Sequence, residues 1–189
     1  MKKIVSLLCA GVLALGIFTG CTSGKDKDAS YESGKLQEIL AAVKEEFGDM
    51  YYPAVSYEAE HIDTMYGIKE DSYEEAFAEV PMININIDTF IGVEAKEGKV
   101  EEVRAALDAY RDKIINTDVQ YPGNLLKAKA SKVYTRGNYV FFICIGQVPQ
   151  DMMESTEDEA QAEAIEEAQI KAIEEGNDRA IEVINSILK

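Results

Sequence analysis

The stretch "MININIDTFIGVEA", residues 82–95, decides how the chain is to be folded. Ile83, Ile85, Ile87, Thr89, Ile91, Val93 and Ala95 alternate with Met82, Asn84, Asn86, Asp88, Phe90, Gly92 and Glu94. A period of two marks a strand with one buried face. A hairpin turning at Asp88 and Thr89 would pair Ile87 with Phe90 and put Ile91 and Val93 on the face of Asn84 and Asn86, against the pattern. The reading is therefore one long strand, with room for a bend near Asp88. Asn84, Asn86 and Asp88 then share a face. It is read as the wet side of a one-sided sheet, the alternative being a groove for a polar ligand or a weakly held cation.

Working outward, "KLQEILAAVKEEFG" places Leu36, Ile39, Leu40, Val43 and Phe47 on one helical stripe, stopped at Gly48. A shorter helix is expected from Glu58 to Tyr66, ended by Gly67, and a third from Ser72 to Ala78. After the Glu97 and Gly98 turn, Val100, Val103, Leu107, Tyr110 and Ile114 mark the buried stripe of a crossover helix with acidic residues in its first turn. A loop containing "QYPGN" leads to "ASKVYTRGNYVFFICIG", a hairpin about Gly137 and Asn138 in which Val133 faces Phe142. From about residue 157 strong helix formers predict a long C-terminal helix, interrupted at Gly176 and Asn177 by a break or a close packing contact. The fold class is α+β: a small mixed or antiparallel sheet of one long strand, crossover helix and hairpin, packed with N-terminal helices and a long C-terminal helix.

The N-terminus has a different character. Lys2 and Lys3 precede an apolar run from Ile4 to Phe18 and a small-residue exit through Thr19 and Gly20, the layout of an export signal. The run falls short of the ~20 residues that span a bilayer. "FTGC" resembles the bacterial lipobox, which implies cleavage between Gly20 and Cys21 and a diacylglyceryl group on Cys21. Phe18 departs from the usual leucine, but it also argues against ordinary secretory cleavage, which prefers a small residue there. Residues 1–20 are thus read as a lipoprotein signal peptide, 21–34 as a flexible polar tether and 35–189 as a single α+β domain.

Charge narrows the partners. The chain has 35 acidic and 19 basic residues, and removing Lys2 and Lys3 takes the net charge from −16 to −18. Such a surface is repelled by nucleic acid and by anionic headgroups. The expected membrane attachment is therefore through lipid on Cys21. Of the three cysteines, Cys9 leaves with the signal, so Cys144 has no partner for an internal disulfide. In "YVFFICIG" it reads as a small core hydrophobe.

The span "AEVPMININIDTFIGVEAKEGKVEEVRAALDAYRDKIINTDVQYPGNLLKAKASKVYTRGNYVFFICIG" resembles proteins grouped as domain of unknown function 4358. The likeness rests on the valine-proline-methionine entry, "DTFIGVEAKEGK", "YRDK", "QYPGN" and "GNYVFFICIG", over roughly residues 79–146. It implies a surface lipoprotein of a Gram-positive bacterium and supplies neither an activity nor site residues.

No catalytic constellation is expected. His61 is the sole histidine and reads as solvated or capping. There is no Gly-x-Ser-x-Gly elbow, phosphate loop or EF-hand spacing, and neither a metal nor a cofactor is anticipated. Carboxylates are too plentiful to be diagnostic, and the run from Glu154 to Glu159 reads as a solvated helix start. The tyrosines at 51, 52, 57, 66 and 73 are expected in the core rather than on a binding edge. The functional expectation is a non-catalytic, membrane-anchored extracytoplasmic module that binds an envelope protein or polymer; the alternative is an envelope hydrolase with paired carboxylates.

Overall fold

The computed structural model describes residues 31–189 except 84, 119, 120, 154, 155 and 157. The export signal, Cys21 and Asn84 lie outside the described residues. Five strands form one antiparallel sheet: β1 (Pro53–Ser56), β2 (Tyr73–Pro81), β3 (Thr89–Ala95), β4 (Lys132–Arg136) and β5 (Tyr139–Cys144), in the order β1-β2-β3-β5-β4. Five helices accompany it: α1 (Leu36–Phe47), α2 (Ala59–Tyr66), α3 (Val100–Lys113), α4 (Pro122–Ala130) and α5 (Glu159–Ile187). The protein is α+β, as the sequence predicts.

Both faces of the sheet are covered. On one, α2, α3 and α4 close over Ile91, Val93, Val140 and Phe142. On the other, α1 and α5 close over Phe77, Phe90, Phe141 and Ile143. All seven residues of β3 and all six of β5 are therefore buried, and the apolar/polar alternation of a one-sided sheet is lost in the centre. Each buried large apolar side chain stabilises the fold by about 1.5–3 kcal/mol.

Several sequence expectations hold. The five stripe residues of α1 are its five buried residues. Gly67 ends α2 in the left-handed conformation, φ 69° and ψ 17°, which a side chain would disfavour. Val133 does face Phe142 across the β4–β5 hairpin. The long C-terminal helix is α5, which begins at an Asp158 cap whose side chain accepts from the Gln161 amide at 3.0 Å; of the two readings at Gly176 and Asn177, the helix shows the close packing contact and no break.

Three expectations are corrected. The long strand over 82–95 is only its second half: β3 starts at Thr89, and residues 82–88 connect it to β2. Ile83 and Ile85, assigned by alternation to the buried face, are 59% and 51% exposed. The helix expected over Ser72–Ala78 is strand β2 preceded by a 3-10 turn, Glu70–Ser72. Its helix-forming glutamates and alanines yield to pairing with β1 and β3, tertiary context overriding local propensity. Phe77 lies opposite Gly92, where an added Cβ would sit 2.3 Å from the ring, so the glycine makes room for an aromatic that covers it. The loop expected around "QYPGN" begins helix α4, with Pro122 in its first turn, where a missing amide proton costs nothing. Strand β1 was not anticipated.

Candidate functional site

The register gives the sheet two distinct ends. Pro53, Pro81, Thr89, Cys144 and Lys132 lie at one; Tyr73, Ala95, Tyr139 and Arg136 lie at the other. The chain enters the fold at the second end. The Tyr31 amide donates to Asn138 Oδ1 at 3.1 Å, the Gly34 amide to Glu94 Oε2 at 2.8 Å, and Tyr139 Oη donates to the Glu32 carbonyl at 2.7 Å.

The first end is built on a buried polar knot. Lys127 of α4 donates to both oxygens of the fully buried Asp88 and, at 2.8 Å, to Gln147 Oε1; Gln147 Nε2 donates to Asp88 Oδ1 at 2.9 Å. The Asp88 amide is taken by Asn86 Oδ1 at 3.0 Å, a local turn that directs the β2–β3 connection into the knot. Asn124 Nδ2 holds the same connection through the Ile85 carbonyl at 2.7 Å. The structure thus puts Asn86 and Asp88 in a turn rather than on a strand face, with Asp88 turned inward.

Beyond β5 the chain is held against α5. Asn177, buried in the middle of that helix, accepts from the amides of Ile145 and Gly146 at 3.0 and 2.8 Å and donates to the Ala130 carbonyl at 2.9 Å. Gly146 and Gly176 meet backbone to backbone; a Cβ on Gly176 would stand 2.8 Å from the Gly146 Cα. From this contact the chain turns away through Val148 and Pro149 into a 3-10 turn, Gln150–Met152, whose last carbonyl accepts from Gln169 Nε2 at 2.7 Å.

That turn, the C-terminal end of α1 and the middle of α5 enclose an open groove of about 760 Å³. Phe47, Met50 and Tyr52 line one side; Met152 and Met153 line the other. Arg179 crosses its floor with the guanidinium 4.8 Å from the centre of the Phe47 ring and Nε 3.3 Å from Glu46 Oε1. The surroundings continue its apolar character. Among the described residues, eight of ten exposed large hydrophobic side chains are at this end of the sheet, including Met82, Ile83 and Ile85 on the β2–β3 connection and Tyr121 before α4. Large contiguous apolar patches on folded domains occur at protein or membrane contacts and in ligand grooves. Methionine suits such a surface because its unbranched thioether repacks against varied shapes.

Other candidates fall elsewhere. His61 is exposed on α2, with its ring 5.3 Å from that of Tyr57. Tyr66 and Tyr73 are buried, Tyr51 and Tyr57 half-buried, and Tyr52 alone of the five is exposed and reaches the groove. Tyr51 donates to Glu79 at 2.9 Å; burial, then the adjacent Glu79 charge, pushes its phenol well above the usual range. Glu79 is itself saturated by both Lys44 bonds, at 2.8 and 2.9 Å, and by Ser56 at 3.3 Å. Among the described residues three carboxylates are buried, Glu79, Asp88 and Glu94, and they sit in three separate networks of donors. Cys144 is buried, and burial first, then the Asp88 charge, pushes its thiol up to about 12. Among the described residues no group of three or more His, Cys, Asp or Glu side chains is arranged to hold a metal ion, and no helix is long and apolar enough to cross a membrane.

A family model described as domain of unknown function (DUF4358) matches residues 46–145. The chain belongs to the DUF4358 family. Its matched region runs from the end of α1 through β5, so it includes the sheet and the Asp88–Lys127 pair, whereas Met152, Met153 and all of α5 lie beyond it. No curated protein and no solved structure gives a significant match. The groove residues escaped sequence reasoning because they come from three distant segments; the only local trace is the apolar pair Met152–Met153 inside an acidic stretch.

Proposed function

We propose that this DUF4358 protein is an extracytoplasmic lipoprotein of a Gram-positive bacterium, held to the cell membrane through lipid on Cys21, and that it acts as a non-catalytic docking module. The groove between α1, α5 and the Gln150–Met152 turn is the docking site, and a polypeptide of the envelope is the occupant. The observation that carries this reading is the opposition of the two ends: the chain enters beside Tyr139 and Asn138, while exposed Met50, Met82, Met152 and Met153 stand at the far end of the strands. A domain tethered at the Tyr139 end turns its apolar surface away from its own bilayer. Docking is favoured over hydrolysis because Glu79, Asp88 and Glu94 each spend their oxygens on neighbouring donors. None of them faces another across a cleft, as a pair of catalytic carboxylates must.

Two measurements test the two parts. Cys21→Ala should release the protein from membranes or leave an uncleaved precursor; normal cleavage with full membrane retention overturns the lipid assignment. A photo-crosslinking residue at position 153, introduced in intact cells, should capture a discrete polypeptide, while the same probe at Met65, also exposed, on α2, should not. Equal capture from both positions, or none from 153, overturns the docking assignment.

A further inference from the structure

Charge around the groove selects among polypeptides. The three segments that line it, residues 45–52, 147–153 and 172–179, carry seven acidic residues and one basic residue, Arg179. Arg179 is already engaged by Glu46 and by the Phe47 ring. Asp49 adjoins Met50, Asp151 adjoins Met152, and Glu175 lines the groove directly; all three side chains are exposed. The nearest lysine on α5, Lys171, is 3.9 Å from Glu175 and offsets only part of this charge. An apolar floor ringed by carboxylates is complementary to a segment with apolar side chains on one face and lysine or arginine beside them.

Resting on the docking reading above, we infer that the occupant is a basic amphipathic segment of another protein. A second copy of this chain brings a net charge of −16, or −18 without its first twenty residues, and is repelled. An anionic bilayer is repelled for the same reason. A groove of about 760 Å³ accommodates a few large side chains, the scale on which a helix or extended segment inserts its anchors.

The test uses the acylated full-length mature protein in phosphatidylcholine nanodiscs. Random peptides displayed on phage are selected for binding to it and counter-selected against Met50→Gln/Met153→Gln. Both positions are substantially exposed, 46% and 67%, so the variant should fold, which circular dichroism checks. The peptides that depend on the groove should be net positive and carry at least two large apolar residues. The affinity of the best of them should fall by about tenfold or more between 50 and 300 mM salt, as expected for screened surface charges. It should fall comparably with Asp49→Lys/Asp151→Lys/Glu175→Lys. Groove-dependent peptides that are neutral or acidic overturn the basic preference and leave the docking site standing. An absence of groove-dependent peptides overturns both. Groove-dependent self-association in sedimentation overturns the inference in favour of a second copy.

Discussion

Lys127 Nζ stands 2.9 and 2.8 Å from the two carboxylate oxygens of Asp88, joining the end of the β2–β3 connection to helix α4 beneath the protein surface. Asp88 is fully buried, while the Lys127 side chain retains 15% exposure. Removing the cation alone leaves a carboxylate charge whose remaining side-chain donor, among the described residues, is Gln147. Lys127→Met should therefore destabilise the fold by about 3–5 kcal/mol. Asp88→Asn/Lys127→Met, which removes both charges, should lose less than the sum of the single changes. Urea denaturation of the four proteins in the cycle measures this, and additive losses would contradict it.

The Gly146–Gly176 contact leaves no room for a side chain. A Cβ on Gly146 would fall 2.0 Å from the Ile173 carbonyl oxygen, inside backbone that cannot yield locally. Gly146→Ala should cost about 1–3 kcal/mol as an overpacked site. Gly176→Ala gains up to ~1 kcal/mol of helix propensity, which offsets part of its own clash with Gly146, so it should be the milder change. Thermal unfolding of the two variants gives the order.

Asn177 is the hinge pin between α5 and the exit from β5, since its one amide serves two donors and one acceptor. Asn177→Ala should cost about 1–3 kcal/mol for each buried backbone group left without a partner. Asn177→Asp keeps the two accepted bonds but sets a carboxylate against the Ala130 carbonyl. Burial and that carbonyl raise the new carboxyl's folded pKa above its unfolded value of ~3.9. Its stability relative to wild type is then highest at pH values below the unfolded value and falls as pH rises toward the folded one. A penalty independent of pH would show that the helix had moved.

Cys144 should be silent toward thiol reagents in the native protein and react only after unfolding, because burial raises its thiol to about 12 and leaves no thiolate at neutral pH. The folded value lies above the ordinary 9.0, so the contribution is fully present below pH 9 and is lost as pH rises from about 9 toward about 12. Over that window wild type should lose stability faster than Cys144→Ala, by at most about 1.4 kcal/mol per pH unit. The comparison between the two removes the parallel effect of the buried tyrosines.

The elements legible in the sequence are those that cover one face and leave the other in water: α1, α2, α3 and the outer half of α5 each show a stripe because each meets the sheet on one side only. The β4–β5 hairpin was legible from Gly137 and Asn138, which close its two-residue turn. Strand β2 was not, because Glu74, Glu75, Ala76 and Ala78 favour a helix until β1 and β3 supply hydrogen-bonding partners. The alternation at Ile83 and Ile85 was genuine in pattern and misleading in cause: these side chains face solvent on a connection, next to a strand buried on both sides. The groove left almost no signal. Phe47, Met153 and Arg179 are brought together by long-range contacts, among them the Gly146–Gly176 approach and the Asn177 hydrogen bonds.

The entry of the chain beside Tyr139 also has a mechanical consequence. A load pulling between residue 31 and a partner gripped at Met153 would run lengthwise along the strands, whose ladder bonds lie across the direction of pull. Bonds set that way are sheared together instead of being unzipped in turn. The sheet is accordingly oriented to transmit tension without coming apart, the geometry a strut needs.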